Sequence, residues 1–282
     1  MEIGRVAVIG AGTMGHGIAQ VAAMAGCEVW LTDANPAALD AARTKVQANL
    51  DKGVARGKVD ADRAAATMER LHTGTLAEGV PGSDLVVEAV PESLDLKQRL
   101  FREVDSLAPA HAILATNTSS LSVGTIASAV ADPSRVVGMH FFNPVHIMKL
   151  LELVRADATR DDVVDAAKAF GERIGKTCIV VRDMPGFATS RLGVALGMEA
   201  IRMVEQGVAS AEDIDTAMVL GYRHPVGPLK LTDMVGLDVR MAIGTYLAEE
   251  LGNAAFEPPE LMKQMVADGK LGKKAGSGFY EW

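Results

Sequence analysis

Apolar positions fall into two regimes along this chain. In the first two thirds, short continuous apolar runs recur: Val6-Ala7-Val8-Ile9, Val29-Trp30-Leu31 within Glu28–Asp33, Leu85-Val86-Val87 within 84–90, 112–116, Val136–Met139, Leu150–Val154 and 177–181. Runs of this length without alternation are expected of strands buried on both faces of a parallel sheet. Helical segments separate them: 17–25 stopped by Gly26, a stretch over 36–70 opened by Asn35-Pro36, then 94–107 and 160–175. Proline suits a first helical turn. From Phe187 onward the period is helical throughout. A helix over 187–206 stops at Gly207. Ser210 caps another, with Glu212 and Asp213 in its first turn. The loop His224-Pro225-Val226-Gly227-Pro228 is rigid, and 231–251 reads as one long helix with a shorter one before the tail. The pattern breaks at Asp183-Met184-Pro185-Gly186, which divides the chain into 1–184 and 185–282. Alternating strands and helices followed by helices alone predict an α/β doubly wound sheet and an all-α C-terminal domain.

The turn after the first strand is Gly10-Ala11-Gly12-Thr13-Met14-Gly15. A lone G-x-G-x-x-G says little. Here a strand precedes it, a helix follows, and Asp33 ends the next strand, which is the context a dinucleotide fold of Rossmann type requires. Gly10 allows the tight turn, Gly12 lets backbone approach a pyrophosphate, and Gly15 permits close helix packing. The helix N-terminus offers N–H groups to phosphates. Asp33 would accept from ribose hydroxyls and repel a 2′-phosphate, so NAD is the expected cofactor.

The stretch from Val136 to Val154 carries His140 after one apolar run and Glu152 inside the next. An ionised carboxylate in a buried strand is costly unless paired. His140 is a natural partner for it. On these residues alone, an edge-strand Glu152 facing solvent and an ordinary core His140 fit equally well. In a doubly wound sheet, ligands gather at strand carboxyl ends, where Glu92 and the cluster 117–120 also fall. Ser119 and Ser120 are equally suited to capping a following short helix. The segment Asp51-Lys52-Gly53-Val54-Ala55-Arg56-Gly57-Lys58 reads as a basic, glycine-interrupted connection between two helices. It is a solvated hairpin on residue chemistry alone.

Composition narrows the class. Hydrophobic content of 49% with 23% charged residues is ordinary for a soluble globular chain of 282 residues. The formal charge of −8 argues against a general nucleic-acid binder. No apolar run is long enough to span a bilayer, and no leader is visible before Arg5. Cys27 and Cys178 lie far apart with no metal-ligand spacing. A cytoplasmic enzyme without a metal is the expectation. The wide apolar arcs of the C-terminal helices, including Leu192, Leu196, Met198, Ile201, Met203 and Val204, then Met234, Leu237, Met241, Ile243 and Leu247, suggest a homodimer through that domain.

The order G-A-G-T-M-G, S-S, H-F-F-N-P, M-P-G-F, H-P-V-G-P and G-K-K-A-G-S-G-F-Y spans nearly the whole chain. It resembles the 3-hydroxyacyl-CoA dehydrogenase family, near its short 3-hydroxybutyryl-CoA members. The resemblance implies reversible NAD-dependent oxidation of an (S)-3-hydroxyacyl-CoA in fatty-acid metabolism, such as β-oxidation. It makes His140 the general base, Glu152 its orienting carboxylate, and Ser119 a contact of substrate and nicotinamide. It places Asn143, Glu92, Lys97 and Lys274 beside the cofactor. It also turns the basic connection into a CoA-binding hairpin in which Lys52, Arg56 and Lys58 meet phosphates. Two positions depart from the family pattern. Ser190 stands where the family has an asparagine near the substrate carbonyl, and a hydroxyl donates one hydrogen bond against an amide's two. Gly53 replaces an apolar residue, which suggests a more mobile hairpin. The alternatives are a dehydrogenase of a free hydroxy acid and a non-catalytic NAD-binding protein on the same scaffold.

Overall fold

A computed structural model describes residues 2–282. They form one compact unit running to Asp183 and a second spanning Met184–Trp282.

The first unit is built on eight strands: β1 (Arg5–Ile9), β2 (Glu28–Thr32), β3 (Leu71–Gly74), β4 (Leu85–Glu88), β5 (Ile113–Thr116), β6 (Val136–Phe141), β7 (Leu150–Arg155) and β8 (Thr177–Arg182). They lie in the order β3-β2-β1-β4-β5-β6-β7-β8. Only β6 and β7 pair antiparallel. The first six strands have the 3-2-1-4-5-6 order of the dinucleotide-binding sheet. Between them run α1 (Gly15–Met24), α2 (Pro36–Ala55), α3 (Ala61–Glu69), α4 (Leu76–Gly79), α5 (Leu94–Leu107), α6 (Val123–Ala127) and α7 (Asp161–Arg173). Strands β4, β5 and β6 are buried at every position. Their unbroken apolar runs follow from helices covering both faces.

Several details differ from the sequence pattern. Strand β3, Leu-His-Thr-Gly, is short, polar and largely half-buried at the sheet edge, so it carries no apolar run. Helix α2 begins as expected, with Asn35 accepting from the Ala37 amide and Pro36 in the first turn. It does not stop near Leu50 but continues through Gly53 to Ala55. The connection to α3 is therefore short. It turns at Gly57, whose φ is 64°, and folds back so that the Lys58 and Val59 amides donate to the Gly53 carbonyl. The cap of α6 is Ser122, which accepts from the Thr125 amide at 3.1 Å, rather than Ser119 or Ser120. Asp183 completes that cap, accepting from the Val123 and Gly124 amides at 3.0 and 2.7 Å.

The second unit is helical: α8 (Thr189–Glu205), α9 (Ala211–Thr216), α10 (Pro228–Val235), α11 (Leu237–Leu251) and α12 (Glu260–Ala267). Ser210 caps α9 as expected, accepting from the Asp213 amide. The anticipated long helix is two helices, because Gly236 takes a φ of 105° that helical backbone does not allow. Its own core contains Val194, Met198, Ile201, Leu229, Leu237, Leu247 and Met262. Two buried aspartates hold the tail. Asp215 caps α10 through the Leu229 and Lys230 amides and accepts from the Tyr280 hydroxyl. Asp233 accepts from the Phe279 and Tyr280 amides and the Trp282 indole.

Candidate active site

The glycine loop folds as its residues require. Gly10 has φ 99°, and a Cβ there would lie 2.7 Å from the Ala89 carbonyl. A Cβ on Gly15 would collide with the Gly10 carbonyl. At Gly12 nothing lies within 4 Å of that position, so the loop presents bare backbone to open space. That space is a cavity of about 1020 Å³ lined by Gly10, Gly12, Thr13, Met14 and Asp33 on one side and Ala89, Val90 and Pro91 on the other. Asp33 stands at the end of β2, accepting from the Ala11 amide at 2.7 Å and the Asn35 amide at 2.8 Å. A bare glycine backbone, a helix N-terminus and a carboxylate around a cavity of this size fit an NAD dinucleotide.

Past the cavity wall lies a buried charge cluster. Glu88 ends β4, and Lys97 on α5 is wholly buried against it, with Nζ 2.7 Å from Glu88 Oε1 and 3.2 Å from Glu92 Oε2. The Thr116 hydroxyl and Val90 amide also donate to Glu88, at 2.6 and 2.7 Å. Glu92 accepts from the Thr118 hydroxyl at 2.6 Å and the Ser119 amide at 2.9 Å, with the Ser119 hydroxyl at 3.3 Å. Burial opposes ionisation of Glu92, but the Lys97 charge and the Thr118 and Ser119 hydrogen bonds outweigh it, holding the carboxyl below its ordinary range. Glu92, Lys97 and Ser119 are thus brought together, with the Lys97 ammonium behind Glu92. Sequence reasoning placed Thr118 in the strand-end cluster 117–120 but missed Glu88 and Thr116. A lone carboxylate ending the run Leu85-Val86-Val87 was the available signal, of the same kind that marked Glu152.

The antiparallel pairing of β6 and β7 sets His140 opposite Glu152. His140 Nδ1 lies 2.7 Å from Glu152 Oε2. The Glu152 side chain is fully buried and that of His140 is 10% exposed. The solvent-facing edge-strand alternative for Glu152 is thereby excluded. With an ionised carboxylate at Nδ1, that nitrogen carries the proton and Nε2 is the basic one. The Phe142 ring packs on the imidazole with centroids 4.4 Å apart. Asn117, on the loop that carries Ser119, accepts from the Phe141 amide at 2.9 Å and ties that loop to the histidine strand.

Residues 5–184 match the model of the NAD binding domain of 3-hydroxyacyl-CoA dehydrogenase, and 186–282 match that of its C-terminal domain. The chain belongs to the 3-hydroxyacyl-CoA dehydrogenase family. It is accordingly an NAD-dependent oxidoreductase. It is 41% identical to a probable 3-hydroxybutyryl-CoA dehydrogenase of Bacillus subtilis (strain 168), over 100% of this chain and 98% of the relative. It is also 41% identical to the mitochondrial hydroxyacyl-coenzyme A dehydrogenase of Sus scrofa, over 98% and 90%. The crystal structure of (S)-3-hydroxybutyryl-CoA dehydrogenase from Ralstonia eutropha superposes with a TM-score of 0.96 at 38% identity, covering 100% of this chain and 99% of that one.

In this dehydrogenase Lys52, Arg56 and Lys58 are exposed around the α2–α3 turn. Gly53 is packed rather than loose: a Cβ there would lie 2.7 Å from Val59 Cγ2. A larger residue there would require Val59 to shift. Asn143 is exposed just beyond β6. In the second unit, Ser190 sits half-buried in the first turn of α8, after a turn in which Gly186 and Phe187 have φ of 76° and 51°. Lys274 pairs with Asp238 at 2.6 Å. Among the described residues no group of His, Cys, Asp or Glu could hold a metal ion, and no helix is long and apolar enough to cross a membrane.

Proposed function

We propose that this dehydrogenase interconverts short-chain (S)-3-hydroxyacyl-CoA and 3-oxoacyl-CoA, 3-hydroxybutyryl-CoA being the representative substrate. The observation that carries the reading is the buried His140–Glu152 pair at the end of β6. Bound NAD supplies the hydride acceptor. His140 Nε2 removes the proton of the 3-hydroxyl as C3 gives up its hydride. Glu152 keeps the other ring nitrogen protonated and stabilises the imidazolium that forms. In reverse, the same imidazolium protonates the alkoxide. Ser119 donates to the substrate oxygen, while Glu92 fixes the Ser119 backbone. Gly10 to Gly15 and Asp33 bind the dinucleotide, with Asn143 and Lys274 as further cofactor contacts. Lys52, Arg56 and Lys58 meet the CoA phosphates, and Ser190 orients the acyl carbonyl.

The protein acts in the cytoplasm as a homodimer, in fatty-acid metabolism such as β-oxidation. Two unlinked thiols support a reducing compartment. Exposed Leu192, Leu220, Tyr222, Met234 and Val239 on the helical unit support self-association, which sedimentation would read. The deciding assay is NADH oxidation over a series of 3-oxoacyl-CoA chain lengths, beside free 3-oxo acids. Turnover of acetoacetyl-CoA with little on free acids is expected. Turnover of free acids alone indicates a hydroxy-acid dehydrogenase. NADH binding without turnover of any of them indicates a binding protein.

A further inference from the structure

We infer that Glu88 is a positioning residue for this site: it anchors Lys97, Lys97 holds Glu92, and Glu92 holds the loop that carries Ser119 and Asn117. The inference rests on the functional reading above and extends it to a residue that touches neither cavity nor substrate.

The cluster is expensive for the fold. Lys97 and Glu88 have side chains 0% and 2% exposed, and buried charges are tolerated only with close partners and satisfied hydrogen bonds. An apolar pair would fill the same space more cheaply. What an apolar pair would not do is transmit a fixed position outward. Glu88 Oε1 accepts from Lys97 and the Val90 amide, and Oε2 accepts from Thr116, its register partner on β5. The carboxylate is therefore locked on both oxygens and sets where Nζ sits. Nζ in turn meets Glu92 Oε2, leaving Oε1 for Thr118 and Ser119. Glu92 is the outward end, with a side chain 36% exposed.

The loop fixed in this way has a second attachment. Asn117 accepts from the Phe141 amide, one residue beyond His140. Val90, which donates to Glu88, lines the dinucleotide cavity. The cluster thus joins the cavity wall just after β4 to the strand of His140, through the loop that carries Asn117 and Ser119. The Lys97 charge and the Thr118 and Ser119 hydrogen bonds keep Glu92 an ionised acceptor for the Ser119 amide. The groups around this carboxylate are Lys97 from α5, Thr118 and Ser119 from the loop, and Glu88 from β4 across the shared ammonium.

The test uses Glu88→Gln, which keeps shape and removes charge, and Thr116→Val, which removes one bond to Glu88. Both are measured for melting temperature, NADH affinity by fluorescence, steady-state kinetics with acetoacetyl-CoA, and amide hydrogen exchange over 113–121. Small displacements of reacting groups cost up to about 100-fold. We expect kcat to fall about 10-fold in Glu88→Gln and less in Thr116→Val, with NADH affinity within about two-fold and faster loop exchange. A third variant, Lys97→Met, strips Glu92 of its cation, so its carboxyl rises and the acid limb of the kcat profile moves to higher pH. Wild-type kcat together with wild-type loop exchange in Glu88→Gln overturns the inference, as does an unmoved acid limb in Lys97→Met. Lost NADH affinity with an unchanged loop also overturns it, assigning Glu88 to the cofactor. If Glu88→Gln does not fold, Thr116→Val decides. If the wild type turns over no acyl-CoA, the functional reading fails and loop exchange alone decides this one.

Discussion

Glu152→Gln isolates what the buried carboxylate does for the imidazole. The change preserves side-chain length and volume at a fully buried position, so packing is held while charge is removed. In the native pair Nδ1 and Oε2 are 2.7 Å apart. When His140 takes the substrate proton it becomes a cation beside an anion. Unit charges about 4 Å apart at an effective dielectric near 20 attract by about 4 kcal/mol. A neutral amide forfeits that term only when the imidazolium forms, which is in the transition state. At 1.36 kcal/mol per decade the loss is about 10³ in kcat. The amide can also turn its NH2 toward Nδ1, place the ring proton on Nε2 and remove the basic nitrogen. A wrong tautomer raises the loss to about 10⁴.

The assay is NAD reduction with (S)-3-hydroxybutyryl-CoA, the direction in which His140 takes the proton, with NADH affinity and melting temperature measured on the same preparations. We expect kcat to fall about 10³- to 10⁴-fold, with NADH affinity unchanged. The melting temperature should hold, since a neutral amide is cheaper to bury than a carboxylate. In a His140→Gln background the same change should add little, because the two residues act as a unit. A Glu152→Gln enzyme within about 10-fold of wild type would refute the reasoning, since the electrostatic term alone predicts more.

Three further outcomes follow from particular contacts. Gly53→Leu, which restores the family's apolar residue, forces a side chain against Val59 Cγ2; denaturant titration should show a loss of about 1–3 kcal/mol, and unchanged stability would revive a loose hairpin. Ser190→Asn should leave NADH affinity alone and change kcat or KM for acetoacetyl-CoA, because an amide adds a donor; unchanged values of both would remove Ser190 from the site. Burial, the Asp215 hydrogen bond and the charges of Asp215, Glu212 and Asp233 raise the Tyr280 phenol above its ordinary value of 10.0. Its contribution to stability is therefore complete below pH 10 and is lost as pH rises toward the higher folded-state value. Alkaline denaturation should start from lower stability and be shallower in Tyr280→Phe, and parallel curves would contradict this.

Legibility in the sequence followed burial and period. Strand β1, the glycine turn and β2 were readable because an apolar run, three glycines and one aspartate occur in a fixed order that few other structures need. Helix α5 was readable to its residue limits, since Leu94–Leu107 keeps an apolar stripe between Ser93 and Ala108. Strand β3 was not, because an edge strand of Leu-His-Thr-Gly lacks both run and alternation. The break at Gly236 was hidden for another reason: helices α10 and α11 keep the same period on both sides of one glycine, and only the backbone reveals its φ of 105°. The Glu88–Lys97 pair was illegible as a pair. Glu88 lay within the expected strand 84–90 and Lys97 read only as a cofactor-side residue, and only sheet and helix packing made both buried and paired.

The pairing of His140 with Glu152 shows how an active site can depend on residues outside it. Strands β6 and β7 are joined by a loop of eight residues, 142–149, and in an antiparallel pair a slip of one residue turns every side chain to the opposite face. A slipped Glu152 would leave His140 facing the wrong neighbour. Apolar burial alone fixes this register only weakly, since Leu150, Leu151, Leu153 and Val154 are buried or half-buried on both faces. The loop supplies the rest. Lys176 is 8% exposed and donates to the Val145 and Met148 carbonyls, while the Thr177 amide donates to the Lys149 carbonyl at 2.7 Å. Val145 itself packs where a Cβ on Gly17 would stand, 2.8 Å away. Burial and the Lys149 charge lower the Lys176 ammonium below its ordinary value, so this brace is maintained against a desolvation cost. The loop between the His140 and Glu152 strands is therefore braced by Lys176 and by the close approach of Val145 to Gly17. The loop between the two strands is for that reason the segment in which a change of length should be least tolerated.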